Sequence, residues 1–149
     1  EKINKIVITN GPGSYTNLRI GSAFISGLQL SNKIKISDFS CFDMYKILSK
    51  KSKNINPGIF IQSASNQEFF CYYEKEKNFI YKKIDLNFKI PQFIDCIFYN
   101  ENKINNNDIK LKQYKFSIQE LILKNYNNLN FDDKKIIEPI YVSNNKILN

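Results

Sequence analysis

Short apolar runs and helical periods divide the chain into two differently patterned parts. Lys5-Ile6-Val7-Ile8-Thr9 is a β-branched run that predicts a buried strand, ended by Asn10-Gly11-Pro12-Gly13. A helix follows over 16–30, with Ser14 placed to cap it through its hydroxyl. Residues 33–37 alternate and predict a second strand. Ser40 followed by Asp43 resembles a capping box for a helix reaching about residue 50. The strand–helix–strand–helix order of residues 1–52 predicts an α/β unit with two parallel strands. The polar segment 51–57 is the expected boundary. Beyond it, 58–62, 68–74 and 79–86 predict strands, with 75–78 as a turn, an antiparallel-rich arrangement for 57–149. Further strands are expected at 94–99, 109–114 (an edge) and 139–142, with a polar loop over 101–108. A helix over 117–126 is marked by Ser117 with Glu120 and by a Phe116–Leu121 staple.

The helix over 16–30 carries the most information. On a helical wheel its apolar and small residues cover roughly 220°, against the roughly 100° stripe of an ordinary surface helix. Two readings are open. The helix is buried inside its own domain, or one apolar side meets a partner protein. Gly21 and Gly27 each cost about 1 kcal/mol of helix stability relative to Ala, and permit close approach of another backbone.

Composition narrows the chemistry. The 149 residues are 42% hydrophobic and 14% aromatic, enough for a core and too aromatic for a disordered chain. Histidine is absent, which removes Ser-His and Cys-His catalysis and histidine-ligated metals. Cys41, Cys71 and Cys96 are far apart in sequence and odd in number, as expected of buried free thiols rather than a zinc site or disulfide framework. No catalytic, cofactor-binding or metal residues are expected. The net charge of +8 is carried almost wholly by Lys, with Arg19 the only arginine. A basic tRNA-binding module is therefore one alternative, although no basic run alternates with aromatics. The turn Gly11-Pro12-Gly13-Ser14 precedes a helix N-terminus, where phosphate can bind. It lacks the Lys of a P-loop, and Pro12 removes an N–H donor, so a structural turn is preferred. A small nucleotide-binding kinase or ATPase is the other alternative. No apolar run reaches the ~18 residues of a membrane span. The chain begins with Glu1 rather than Met and is expected to be incomplete at that end.

The segment Gly11-Pro12-Gly13-Ser14-Tyr15-Thr16-Asn17-Leu18-Arg19-Ile20-Gly21 resembles the GPGSFTGLRIG signature of the TsaB/YeaZ family, with Tyr15 for Phe and Asn17 for Gly. Pro139-Ile140-Tyr141 resembles that family's C-terminal Pro-x-Tyr. The resemblance implies a two-lobed actin/sugar-kinase/Hsp70-like (ribonuclease H-like) fold with an incomplete N-terminal lobe. It also implies a non-catalytic subunit in a cytoplasmic complex. The expected partner is TsaD, which transfers threonylcarbamoyl to adenosine 37 of certain tRNAs. TsaE is expected in the complex, with ATP and metal held by the partner subunits and tRNA contacted indirectly. A homodimer is the alternative assembly. The residues expected at the partner surface are Leu18, Arg19, Gly21, Ser22, Ile25, Ser26 and Gln29.

Overall fold

A computed structural model describes residues 3–32, 34–51, 55–74, 78–104, 110–143 and 146–148. Strand β1 (Lys5–Ile8) leads through the turn into helix α1 (Tyr15–Asn32), and β2 (Lys35–Asp38) returns parallel to β1, with Ile6 opposite Ile36. The parallel pairing follows from the intervening helix, since a tight hairpin cannot join parallel strands. Helix α2 (Cys41–Lys51) begins at once, with a backbone bond from Phe39 N–H to the Ile8 carbonyl marking the bend (2.9 Å).

The capping box of α2 is formed. The Asp43 amide donates to Ser40 Oγ (3.1 Å), and the Ser40 amide donates to Asp43 Oδ2 (3.0 Å). Burial pushes the Asp43 carboxyl up. Hydrogen bonds from Lys46 and Ser40, with the charge of Lys46, outweigh it and leave the carboxyl below its ordinary value. Folded-state depression means that the group stabilises the fold above its unfolded value and ceases to do so as pH falls through the lowered one. Asp43→Asn should therefore lower the urea midpoint at pH 7. The gap from the parent chain should close on acidification below about pH 4, measured by urea titration at successive pH values.

The second sheet has five strands in the order β5-β4-β3-β6-β7. These are β3 (Pro57–Gln62), β4 (Glu68–Tyr73), β5 (Phe79–Lys83), β6 (Cys96–Tyr99) and β7 (Lys112–Lys115). The expected antiparallel pairing holds for β3–β4 and β4–β5, but β6 and β7 add in parallel, so the sheet is mixed. Central β3 is buried on both faces, as its unbroken apolar run Gly58-Ile59-Phe60-Ile61 requires.

One face carries Ile59, Ile61, Phe69, Cys71 and Phe79 against Met44 and Leu48 of α2 and Leu121 of α3 (Ile118–Lys124). This core joins residues 39–48 to the large sheet and so crosses the expected 1–52/57–149 division. The other face, Phe60, Phe70, Tyr72, Ile97 and Tyr99, is covered by residues 84–94 rather than by a helix. Ser117 caps α3 through the Glu120 amide (3.3 Å), and Phe116 and Leu121 share the core, as the staple predicts. The helix stops at Lys124, before a 3-10 turn over Tyr126–Asn128, rather than running on to 126. A closing hairpin pairs β8 (Tyr141–Ser143) with β9 (Lys146–Leu148), a strand the sequence pattern did not indicate. Parts of the expected features at 33–37, 51–57, 75–78, 101–108 and 109–114 lie outside the described residues.

Candidate functional site: the turn, its helix and the C-terminal segment

The turn before α1 is built around a close approach. Gly11 has φ +117°, a conformation that favours glycine. A Cβ there would lie 2.8 Å from the carbonyl oxygen of Ile140. The Ile140 amide donates to the Asn10 carbonyl (2.7 Å), and the Gly11–Pro12 peptide is cis. Gly13 lies under the Leu18 side chain, and the Asn17 amide donates to Ser14 Oγ (3.3 Å). Tyr15 meets Tyr141 with ring centroids 4.7 Å apart, and the Arg19 guanidinium lies 4.1 Å over the Tyr15 ring. The two sequence segments quoted for the family resemblance thus touch each other.

Helix α1 has two unlike sides. Ile25 is buried (7% exposed) with Ile34, Ile36 and Ile137. Leu18, Gly21, Ser22, Leu28 and Gln29 lie half-buried on the same side. Gly21 faces Ile8, Ser22 Oγ donates to the Leu18 carbonyl (2.9 Å), and Gln29 Nε2 donates to the Asp132 carbonyl (3.3 Å). The opposite side exposes Ile20 (63%), Phe24 (64%) and Leu30 (89%), with Ala23 and Gly27 between them. Among the described residues, nothing outside the helix's own backbone lies within 4 Å of a Cβ built on Gly27.

Of the seven residues expected at a partner surface, only Arg19 and Ser26 are exposed. Ile25 fills the chain's own core, and Leu18, Gly21, Ser22 and Gln29 line the same inward side, because Ile36 and Ile137 complete an apolar pocket there. The exposed strip Ile20–Ala23–Phe24–Gly27–Leu30 was not among those seven residues, although it lies on the same wide apolar arc. The arc alone carries no sign of which edge faces inward.

Asn10 is buried, and among the described residues its Oδ1 has no hydrogen-bond partner. It lines a cavity of about 330 Å³ with Asp38, Lys135 and Glu138, where Lys135 Nζ pairs with Asp38 Oδ1 (2.9 Å). A larger cleft of about 1210 Å³ lies against residues 84–92. None of its lining residues belongs to the turn or to α1. Among the described residues no group of three or more Cys, Asp or Glu is placed to hold a metal ion. No described helix is long and apolar enough to cross a membrane.

The three cysteines are buried free thiols. Burial pushes the Cys71 thiol up, and its hydrogen bond and electrostatic contact with Cys41 add to this. Burial, then the Asp95 charge, raises Cys96. Such thiols are poor nucleophiles. Ellman's reagent should label none of the three in the folded chain and all three in guanidinium chloride.

A parallel strand pair crossed by a helix, beside a five-stranded mixed sheet backed by two helices, is a mixed α/β architecture. The fold recurs in the crystal structure of an uncharacterized protein with similarity to peptidase YEAZ from Pseudomonas aeruginosa. The two are 12% identical, with 94% of this chain and 74% of that one covered and a TM-score of 0.53. YeaZ from Pseudomonas aeruginosa aligns at 11% identity over 92% of this chain and 73% of that one, with a TM-score of 0.46. No curated protein matches the chain. Residues 1–94 match the family model described as TsaD: tRNA N6-adenosine threonylcarbamoyltransferase, and the chain belongs to that family. Its fold is similar to that of the YeaZ-related structure from Pseudomonas aeruginosa.

Proposed function

We propose that the chain is a non-catalytic pairing subunit of a tRNA threonylcarbamoyladenosine complex, and that it binds a TsaD-type subunit through the outward side of α1. The observation that carries this reading is the exposed strip Ile20–Ala23–Phe24–Gly27–Leu30 on a helix whose other side is already buried. Large apolar side chains in a row on one exposed face mark a protein contact, and the small residues between them admit another helix closely. Arg19 and Ser26, at the edge of the strip, are placed to add polar contacts at the rim.

In this reading the chain holds no nucleotide or metal of its own. ATP and metal belong to the partner subunits, TsaE completes a cytoplasmic assembly, and tRNA is contacted only through the complex. The approach of Ile140 to Gly11 supports this over a kinase or ATPase, since the chain's own backbone fills the space beside the first glycine of the turn.

The test is isothermal titration calorimetry of the purified chain with a TsaD-type subunit of the same source, and separately with ATP. Heat of binding is expected with the first and none with the second. Tight ATP binding by the chain alone, with no binding to the subunit, would overturn the reading.

A further inference from the structure

Residues 131–141 run along the inward side of α1 in the direction opposite to the helix. At its start, Asp132 exchanges backbone hydrogen bonds with Ile36 (2.9 and 3.0 Å) and accepts from Gln29 near the end of α1. Phe131 lies under the Lys5 ammonium (4.8 Å). Midway, Ile137 shares the buried cluster of Ile25, and Lys135 pairs with Asp38. At the far end Ile140 bonds to Asn10 and crowds Gly11, while Tyr141 meets Tyr15 in the first turn of α1. The helix is therefore held at its end, its middle and its start by one segment over a hundred positions later in sequence.

We infer that this segment is a strap that sets the seating of α1, and through it the outward strip, with Tyr141 as the positioning residue acting on Tyr15. The inference rests on the proposed partner reading for its consequence, and on the contacts above for its geometry. Tyr141 touches Tyr15, Tyr15 carries Arg19, and Arg19 stands at the edge of the strip. Losing one aromatic contact of this kind shifts a local equilibrium by roughly three- to tenfold.

The test compares the parent chain with Tyr141→Ala and Tyr141→Phe by amide hydrogen exchange. It also compares their affinity for a TsaD-type subunit, with Phe24→Lys as the interface control. Tyr141→Ala should speed exchange in residues 18–22 about three- to tenfold and leave β3 and β4 unchanged. It should weaken the affinity by a similar factor, and Tyr141→Phe should restore both, because the ring contact survives without the hydroxyl. Unchanged exchange in α1, or equal acceleration across the whole chain, would overturn the strap. So would an unchanged affinity in Tyr141→Ala when Phe24→Lys abolishes binding. If Phe24→Lys leaves binding intact, the partner reading fails, and the seating of α1 by the strap still stands or falls on the exchange result.

Discussion

Replacing Phe70 with alanine should cost the fold about 3–5 kcal/mol, read as a fall in the denaturant midpoint. The ring is wholly buried on the face of the large sheet that no described helix covers, where its neighbours include Tyr72 (6.0 Å between centroids) and Phe88 (5.3 Å). It also lies across Gly58 on the adjacent strand, and a Cβ on Gly58 would collide with three of its ring carbons. Gly58→Ala should thus destabilise by about 1–3 kcal/mol through overpacking. The two effects should not add. With the ring gone, the alanine methyl at position 58 enters free space, so Gly58→Ala should be nearly neutral in the Phe70→Ala background. A double-mutant cycle measures this directly. Additive losses would mean that the glycine is needed for its backbone and not for the ring. Against a total stability of about 5–15 kcal/mol, either single change is severe.

Two adjacent residues of α1 should give opposite phenotypes when each is changed to lysine. Phe24→Lys should leave the thermal midpoint within a few degrees of the parent, since the side chain is already 64% exposed. It should weaken binding to a TsaD-type subunit roughly a hundredfold or more, because a central aromatic anchor is lost and a charge must be desolvated. Ile25→Lys places an unpaired ammonium among Ile34, Ile36 and Ile137. It should cost several kcal/mol of stability and unfold the β1–α1–β2 unit before any binding can be judged. Circular dichroism melts with calorimetry on both variants decide the matter. Normal folding in Ile25→Lys with binding lost would mean that the inward side, not the outward one, is the interface.

The sequence revealed most where one local rule dominates. Ser40–Asp43 and Ser117–Glu120 predicted their helices because capping is a contact between near neighbours. The alternating and β-branched runs predicted strands β1 to β6, although β5 ends at Lys83 rather than 86 and β6 begins at Cys96 rather than 94, and the parallel β1–β2 pair followed from the helix between them. What stayed hidden depends on distant residues. The parallel addition of β6 and β7 to β3 is a matter of topology that no single strand encodes. The side of α1 that faces inward is decided by Ile36 and Ile137, and the second of these is more than a hundred positions away. The glycine signature was legible as a turn, while its reason, the backbone of Ile140 against Gly11, was not. Lys146–Leu148 was missed because three residues are too few to show a period.

The strap has a consequence for synthesis. A ribosome delivers β1, α1 and β2 early, and Ile6, Ile8, Ile34 and Ile36 come with them, but Ile137 and the rest of the segment that completes the inner side of α1 come from 131–141. Until these leave the exit tunnel, the cluster around Ile25 lacks Ile137 and stays open on one side, so the emerging helix offers apolar surface there as well as along Ile20 and Phe24. Its first opportunity to aggregate, or to be caught by a chaperone, therefore precedes its first opportunity to find the right neighbour.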